Sequence, residues 1–253
     1  MHRLWIGLLA LLLSVHFADA EPRTSARAFL PPELQAQQAD DGANPGMLWV
    51  EGGVKLWSKT DGSTAKSCAA CHADPTTAMR GVAARYPAID AGSGTLFNLE
   101  ARINNCRVTK MGAAPFKYES DELLGLTALI SYQSRGLPFS VRIEGPSTSH
   151  FEAGKAFFFE KQGQLNVACN QCHDDNVGKR LRGDRISSGL STAYPAYRLD
   201  WQKMGSLHRR LRACSLGVRA EQLEFGSSAY VDLELYLAAR AESAEIETPG
   251  VRK

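Results

Sequence analysis

The chain carries two copies of the pattern Cys-x-x-Cys-His, once as CAACH and once as CNQCH. The residues are Cys68, Cys71 and His72 in the first copy and Cys169, Cys172 and His173 in the second. In this pattern two thiols add to the vinyl groups of a haem, and the adjacent histidine binds the iron from the proximal side. The sequence therefore predicts two covalently bound haem c groups with His72 and His173 as axial ligands.

Paired cysteines also occur in redox disulfides and in zinc sites. A single copy of the pattern would leave a redox disulfide open, whereas two copies in one chain favour haem attachment. A tetrathiolate zinc site is the weaker alternative, because the two pairs lie 101 positions apart. Each pair also carries a histidine that such a site does not need.

Each copy is followed by one more cysteine, Cys106 or Cys214, in the shared pattern L-x-x-R-[IL]-x-x-C. These cysteines lie 34 and 41 residues beyond their histidines, which is long enough for the chain to cross the haem. Electron-carrying cytochromes c present a methionine sulfur on that side, but Met79, Met111 and Met204 hold no equivalent places in the two halves. We therefore predict His/Cys ligation at both irons, with Cys106 and Cys214 as the distal ligands.

Three alternatives remain open for these cysteines: a disulfide between Cys106 and Cys214, inert buried thiols, and methionine ligation at one or both haems. An arginine four residues before each cysteine argues against inert thiols, because on a helix Arg102 shares a face with Cys106 and Arg210 with Cys214. A cation at this spacing favours the thiolate, the form that binds metals and acts as a nucleophile. Pairing of both arginines with haem propionates is the alternative structural use.

The stretch LHRRLRACSLGVR, from 207 to 219, makes the surroundings of Cys214 strongly cationic. Such a cluster attracts small anions and holds them by charge-assisted hydrogen bonds. For Arg209, Arg212 and Arg219 a solvated face is the simpler interpretation. His208 is expected to make a surface or propionate contact, and His150 is assigned no role.

The two halves correspond beyond these motifs. Gly53 in EGGVKLW matches Gly154 in EAGKAFF, and each final cysteine precedes a helical pattern. The first of these, ESDELLGLTALISYQS, has Ser120 as its predicted N-cap, and the second is SSAYVDLELYLAAR. The predicted fold is mainly α, with two tandem cytochrome c-like domains related by internal duplication. A domain of this size has a thin apolar core, to which a buried haem would add much.

Composition and the N-terminal stretch indicate the setting. The net charge of +2 over 253 residues is too small to indicate a polyanion, so no nucleic-acid partner is expected. Arg3, an apolar run over 4–15 and small residues at Ala18 and Ala20 predict a secretory signal peptide over 1–20. The mature protein is therefore expected in the periplasm with no membrane insertion after cleavage. An uncleaved anchor is the alternative.

The predicted domain boundaries follow from these patterns. After the signal peptide, residues 21–46 lack clear periodicity and are expected to form an extended N-terminal arm. The N-terminal cytochrome c-like domain is predicted over 47–140, and the C-terminal domain, which carries the active site, over 146–253. The linker between them is expected within 136–149, which is rich in Pro, Gly and Ser.

Two C-x-x-C-H motifs in a duplicated exported chain, each followed by R-x-x-x-C, resemble the SoxA family. These proteins are the dihaem subunits of the SoxAX cytochromes of bacterial thiosulfate oxidation. The resemblance covers nearly the whole mature chain, and CAACH with Cys106 matches the dihaem type. It implies that Cys214 is the reactive sulfur, which is often a persulfide in the family. It further implies that Arg210 is the active-site arginine and that Cys106 is a ligand only.

The resemblance also implies an activity, that of an L-cysteine S-thiosulfotransferase. In that reaction thiosulfate is joined through its outer sulfur to a cysteine of a SoxY-type carrier protein. Two electrons leave through the haems, including that of a SoxX-type monohaem cytochrome c in a heterodimer, to a soluble cytochrome c. Two other classes remain: a dihaem electron carrier without transferase chemistry, and a dihaem peroxidase, which needs a vacant distal position.

Overall fold

Helices make up most of the regular structure in this computed structural model, which describes residues 23–242 and 244–253. The α-helices are α1 (Pro32–Ala39), α2 (Met47–Ser58), α3 (Cys68–His72), α4 (Pro75–Ala78), α5 (Leu99–Cys106), α6 (Asp121–Tyr132), α7 (Thr148–Phe159), α8 (Cys169–His173), α9 (Leu207–Gly217) and α10 (Ser228–Arg240). The strands are β1 (Ala88–Ile89), β2 (Leu96–Phe97), β3 (Arg180–Leu181), β4 (Asp184–Arg185), β5 (Ala196–Arg198), β6 (Lys203–Gly205) and β7 (Gly250–Arg252). The predicted signal peptide, 1–20, lies outside the described residues.

Within the described residues, no helix combines the length and the apolar character needed to cross a lipid bilayer.

In the first half, α2 crosses α6 at very short range. The crossing requires Gly53, because a Cβ at this position would collide with the backbone carbonyl oxygen of Gly125 on α6. Ser120 caps α6 as predicted, since its hydroxyl oxygen accepts a hydrogen bond from the Leu123 N–H. The middle of α6 is apolar and almost fully buried, so this helix forms the centre of the first core.

In the second half, α7 crosses α10 in the same manner. A Cβ at Gly154 would collide with the backbone carbonyl oxygen of Asp232 on α10. Phe158 on α7 is 1% exposed and packs against Leu233 and Leu237 of α10. The two glycines that the sequence repeat pairs therefore have the same structural role, and the duplication extends to the packing of the terminal helices.

The segment before the first domain contains more regular structure than predicted. The stretch expected to be an extended arm contains α1, which begins with Pro32 at its first position and has Glu33 in its first turn. Both residues favour a helix start. This segment lies against the second half of the chain: the Gln38 amide oxygen accepts from the Val251 N–H at 3.0 Å, and the Asn44 amide donates to the Pro249 carbonyl at 2.8 Å.

A three-stranded sheet in the second half leads into the helix that carries Cys214. Its order is β6-β5-β7, with β5 antiparallel to β6 and parallel to β7. β6 ends at Gly205, Ser206 follows as the N-cap, and α9 begins at Leu207. Arg198, the last residue of β5, pairs with Lys203 of β6, and its guanidinium lies close enough to Arg210 of α9 to be influenced by its charge.

The two halves share buried surface. Met204 on β6 is fully buried and belongs to the apolar cluster of the first half, together with residues such as Leu129 and Trp57. Leu96 on β2 packs against Val231 and Leu235 of α10. The positions of the two ligand-bearing segments relative to one another are therefore set by a common core.

Candidate haem and thiolate site

In the second half, the CNQCH motif forms the short helix α8, and His173 at its end is held in one orientation. Its Nδ1 lies 2.7 Å from the Ser187 carbonyl oxygen, which can only accept, so Nδ1 carries the proton. Gly189, with φ +70°, lies directly against the ring, since a Cβ there would be 2.8 Å from His173 Cγ. This backbone hydrogen bond leaves Nε2 as the metal-binding nitrogen, as is typical of ligating histidines.

Cys214 is presented by α9, whose beginning is fixed by a cap. The Ser206 hydroxyl accepts a hydrogen bond from the Arg209 N–H at 3.2 Å. Cys214 lies one turn after Arg210, as the sequence pattern predicts, and its thiol lies close enough to the His173 ring to be influenced by it. The structure therefore brings His173 and Cys214 together from segments 41 residues apart.

The pKa values of the thiols in this half differ in direction. Burial raises the pKa of Cys169 to about 11 and also raises the pKa of Cys172. Burial acts in the same sense on Cys214, but a hydrogen bond with His173 and the charges of Arg210 and Arg198 outweigh it, so its pKa is lowered. Cys214 is therefore the thiol that the protein favours as a thiolate, the form that binds iron and attacks as a nucleophile.

The cations of the Cys214 stretch have different surroundings. The Cys214 sulfur raises the pKa of Arg210, which fits an arginine that faces the thiolate. Arg209 instead points towards Trp201, 4.2 Å from the ring centroid, and lies 3.7 Å from a carboxylate oxygen of Glu119. Arg212 donates to the Leu223 carbonyl. Arg210 is therefore the arginine of α9 that the structure associates with Cys214.

The expectation of a surface or propionate contact for His208 is wrong. Its side chain is 1% exposed, with Nε2 donating to Glu234 at 3.1 Å and Nδ1 accepting from the Gly226 N–H at 3.1 Å. The ring also stacks on Tyr118, with centroids 5.9 Å apart. The neighbouring arginines suggested a solvated stretch, but His208 lies on the face of α9 that packs against α10 and the first half.

In the first half, CAACH forms α3, with the Ser67 hydroxyl accepting from the Ala70 N–H at its start. His72 is exposed, and its ring lies 5.9 Å from that of Trp57, whose indole N–H donates to the Ala73 carbonyl at 2.8 Å. Cys106, the last residue of α5, lies close to Cys68. Its charge is one of the causes that raise the pKa of the Cys68 thiol, after burial. Each third cysteine thus lies beside the motif of its own half.

The arginine before Cys106 is neutralised. Arg102 forms an ion pair with Asp90, which follows β1 directly. Backbone and side-chain hydrogen bonds from Ser93, together with the Arg102 charge, hold the pKa of Asp90 below its ordinary value. Arg102 therefore has a permanent anionic partner within the protein.

Met79, Met111 and Met204, the other sulfurs considered as distal ligands, are all buried. Met79 and Met204 pack in the apolar core of the first half. Met111 is 5% exposed, and its carbonyl oxygen accepts from Thr64 in the loop before α3. All six cysteines are free, and Cys106 and Cys214 lie at different motifs rather than against each other.

The donor set of the second half fits a c-type haem. It offers an imidazole fixed by a backbone carbonyl, a favoured thiolate near it, and the two thiols of α8 for covalent attachment. Within residues 23–242 and 244–253, no cluster of three or more His, Cys, Asp or Glu side chains could hold a bare metal ion.

Three comparisons agree on the relationship of this chain to known proteins. The family model described as the SoxA/TsdA cytochrome c domain matches twice, over 52–139 and 153–246. The L-cysteine S-thiosulfotransferase subunit SoxA of Pseudaminobacter salicylatoxidans is 40% identical over 226 residues, which is 89% of this chain and 79% of that protein. The protein of the same name from Rhodovulum sulfidophilum is 35% identical over 238 residues, which is 94% of this chain and 83% of that protein.

The crystal structure of SoxXA from P. pantotrophus superimposes with a TM-score of 0.87 at 34% identity and covers 90% of this chain and 86% of that one. Together with the double match of the family model, this superposition confirms the predicted fold of two tandem cytochrome c-like domains. Cytochrome c domains carry covalently attached haem c through their C-x-x-C-H motifs. The chain therefore belongs to the SoxA/TsdA cytochrome c family and is SoxA-like within it.

Proposed function

We propose that this chain is the dihaem subunit of a periplasmic L-cysteine S-thiosulfotransferase, which joins thiosulfate to a cysteine of a SoxY-type carrier protein. Two relatives that bear this activity in their names are 40% and 35% identical to the chain. The observation that carries the proposal is the placement of the Cys214 thiol within hydrogen-bond reach of His173 and close to Arg210 and Arg198, which together favour its thiolate. A thiolate held among cations suits a reaction between sulfur anions.

The proposed haem sites use the residues of both motifs. One haem c would be attached through Cys68 and Cys71 and ligated by His72 and Cys106. The other would be attached through Cys169 and Cys172 and ligated by His173 and Cys214. Haem c, when bound, supplies the chemistry that side chains lack: an acceptor of single electrons and a metal that binds thiolate sulfur.

The chain's own residues account for binding and bond formation. Arg210 binds the thiosulfate dianion by charge-assisted hydrogen bonds and directs its outer sulfur towards Cys214. The Cys214 thiolate and thiosulfate form a sulfur–sulfur bond with loss of two electrons, giving a cysteine S-thiosulfonate. The carrier thiolate then attacks the sulfur bonded to Cys214 and releases the Cys214 thiolate, so that the thiosulfonate ends on the carrier.

The two electrons released in the overall reaction are taken up by a soluble cytochrome c. A carrier thiol and thiosulfate give the carrier S-thiosulfonate, one proton and two electrons. The electrons pass to a soluble cytochrome c, with a SoxX-type monohaem cytochrome c as the partner subunit. The similarity to a chain of the SoxXA crystal structure supports that partner.

The test uses the haem-loaded protein in complex with a SoxX-type subunit, with thiosulfate, a SoxY-type carrier and oxidised cytochrome c. The intact mass of the carrier is measured with the wild type and with Cys214→Ala. We expect the carrier to gain the mass of one S2O3 unit only with the wild type, since the carrier thiol R–SH becomes R–S–S–SO3H. An unmodified carrier with a wild type whose haems still pass electrons would favour the electron-carrier function instead. A modified carrier with both proteins would remove Cys214 from the mechanism.

A further inference from the structure

When the two halves are aligned on α5 and α9, the helices that carry Cys106 and Cys214, an acidic residue of one half lies opposite a basic residue of the other. Tyr86, Asp90, Arg102 and Cys106 in the first half correspond to Tyr194, Arg198, Arg210 and Cys214 in the second, each 108 positions later. Both tyrosines begin a Tyr-Pro-Ala sequence, and both stretches then enter a strand, β1 or β5. Arg198 therefore occupies the position at which the first half has Asp90.

This exchange reverses the charge beside the arginine that both halves share, Arg102 or Arg210. In the first half, Asp90 and Arg102 form an ion pair, and the two charges cancel. In the second half, Arg198 and Arg210 both lie close enough to the Cys214 sulfur to act on it, and the shortest ion pair of Arg198, with Asp200, is 3.9 Å long. Among the salt bridges of the described residues, none joins Arg210 to a carboxylate.

Arg198 has a hydrogen bond with Tyr194 but only one carboxylate near it, at the limit of ion-pair distance. Its side chain is 11% exposed, and its nearest carboxylate oxygen, on the exposed Asp200, lies 3.9 Å away. Its guanidinium lies 5.0 Å from the Trp201 ring centroid. The buried Nε of Arg198 has no hydrogen-bond partner in the part of the chain that the structure describes. A buried donor without a partner is unfavourable, so this one points to an anion that the site receives.

Two neighbouring guanidinium groups repel each other unless an anion lies between them. Burial and the charge of Arg210 both lower the pKa of Arg198, which reflects that repulsion. Within the described residues no ion pair joins Arg210 to a carboxylate, and Arg198 reaches only Asp200 at 3.9 Å, so the pair retains capacity for negative charge. A dianion uses this capacity better than a monoanion does, because it interacts with both cations at once.

We propose that Arg198 and Arg210 together form an anion cradle beside Cys214, in which Arg198 binds the sulfonate oxygens of a dianionic sulfur substrate and selects it over monoanions. This inference rests on the proposed function and deepens it, since it names the residue that sets substrate charge. The same oxyanion chemistry has two sources here, the sulfonate of the substrate and a propionate of the haem. The experiment separates them.

The variants are Arg198→Gln, Arg198→Lys and, as control, Arg142→Gln, which removes an exposed arginine between the two domains. Each is prepared as the haem-loaded complex with its SoxX-type subunit. Steady-state rates give kcat and KM for thiosulfate at several ionic strengths. Haem content and the reduction potential of each haem are measured on the same samples.

For a substrate cradle, we expect Arg198→Gln to raise KM about tenfold, the loss typical of one charge-assisted hydrogen bond, with a small change in kcat. The salt dependence of KM should weaken, Arg198→Lys should recover part of the affinity, and Arg142→Gln should match the wild type. Haem content and potentials should be unchanged. An unaltered KM together with a lost haem or a shifted potential would assign Arg198 to a propionate and overturn the cradle.

A binding measurement separates this inference from the proposed function. Titration calorimetry of thiosulfate, and of nitrate as a monoanion, into the oxidised complex requires no carrier and no turnover. Weaker thiosulfate binding in Arg198→Gln, with nitrate binding unaffected, would support the cradle even if the wild type modified no carrier. Equal thiosulfate binding by wild type and Arg198→Gln would overturn the cradle even if transfer activity were present.

Discussion

The two halves of this chain have the same packing and opposite charge at one position. In both, a glycine on the first helix permits a close crossing with the last helix, at Gly53 in one half and Gly154 in the other. In both, a capped helix presents a cysteine one turn after an arginine. The halves differ next to that arginine, where the first has Asp90 and the second has Arg198.

The two motif histidines also differ in how firmly the protein holds them. His72 is exposed, whereas His173 donates to the Ser187 carbonyl and lies against Gly189. The side chains of Asp90 and Arg198 are both 11% exposed, so solvent screens their charges little. The two halves therefore share a scaffold and differ in the charge beside the arginine that precedes the third cysteine.

The largest difference between the halves is expected when the third cysteine of each half, Cys106 or Cys214, is replaced. Cys214→Ala should lower transfer of thiosulfate to the carrier by at least about a thousandfold, as is typical when a nucleophile is lost. Cys106→Ala should retain transfer within about tenfold, since Cys106 is proposed to serve as a ligand alone. The measurement is the rate of carrier mass gain, with haem content and ligand-field spectra recorded to show that each variant carries both haems.

Equal losses in the two cysteine variants would mean that the first site also takes part in turnover. Such a result would contradict the functional division that the charges indicate.

The next largest effect is expected at the paired arginines. Arg210→Gln should lower kcat/KM for thiosulfate by about 10–100-fold, because a charge-assisted hydrogen bond to the dianion is lost. Arg102→Gln should change it less than about twofold, because Arg102 is 40% exposed and already paired with Asp90. Steady-state kinetics on both variants in the same complex measure this contrast. Similar losses in both would show that the Asp90–Arg102 pair does not neutralise the first site.

Much of this arrangement could be predicted from sequence because it depends on local spacing. The C-x-x-C-H motifs, the arginine four residues before each third cysteine, and the Ser120 cap are all set by neighbours within one or two turns. Gly53 and Gly154 could be paired because the offset between the repeats is constant over that stretch. The predicted fold followed from these local patterns.

The features of the site that the sequence did not predict depend on contacts between distant segments. His208 is surrounded by arginines in sequence, yet its ring is buried between α9 and α10, where Glu234 is 26 positions away. The Ser187 carbonyl that fixes His173 has no signature in its side chain. Arg198 could have been found from the shared Tyr-Pro-Ala sequence, but the offset of the repeat changes from 101 to 108 between the motif and this stretch.

Alanine at the two crossing glycines tests whether the scaffold is equally sensitive in both halves. Gly53→Ala and Gly154→Ala should each lower the free energy of unfolding by about 3 kcal/mol, because the added methyl group meets a backbone carbonyl that cannot move alone. Chemical denaturation followed by circular dichroism measures both. Gly52→Ala, where a Cβ meets nothing within 4 Å, is the matched control. A stable Gly154→Ala variant would show that α7 and α10 can separate without loss of the fold.

The smallest effect concerns the residues one position after each helix start, Glu100 on α5 and His208 on α9, which correspond in the repeat. Glu100 is 7% exposed, and burial together with the nearby Glu234 raises its pKa to about 7. Since this pKa exceeds that of the unfolded chain, 4.5, the folded protein binds the proton more tightly. The stabilisation is fully present below pH 4.5 and is lost as the pH rises through 7.

We therefore expect wild-type stability to fall by about 2–3 kcal/mol between pH 5 and pH 8 through this group, while Glu100→Gln, which cannot ionise, loses that part of the slope. His208, Glu119 and Tyr118 face the same carboxyl, so the proton is shared with a coupled cluster and the slope is spread over the whole interval. Thermal unfolding at several pH values measures it, with Glu122→Gln on the exposed side of α6 as control. A slope that persists unchanged in Glu100→Gln would place the titrating group elsewhere.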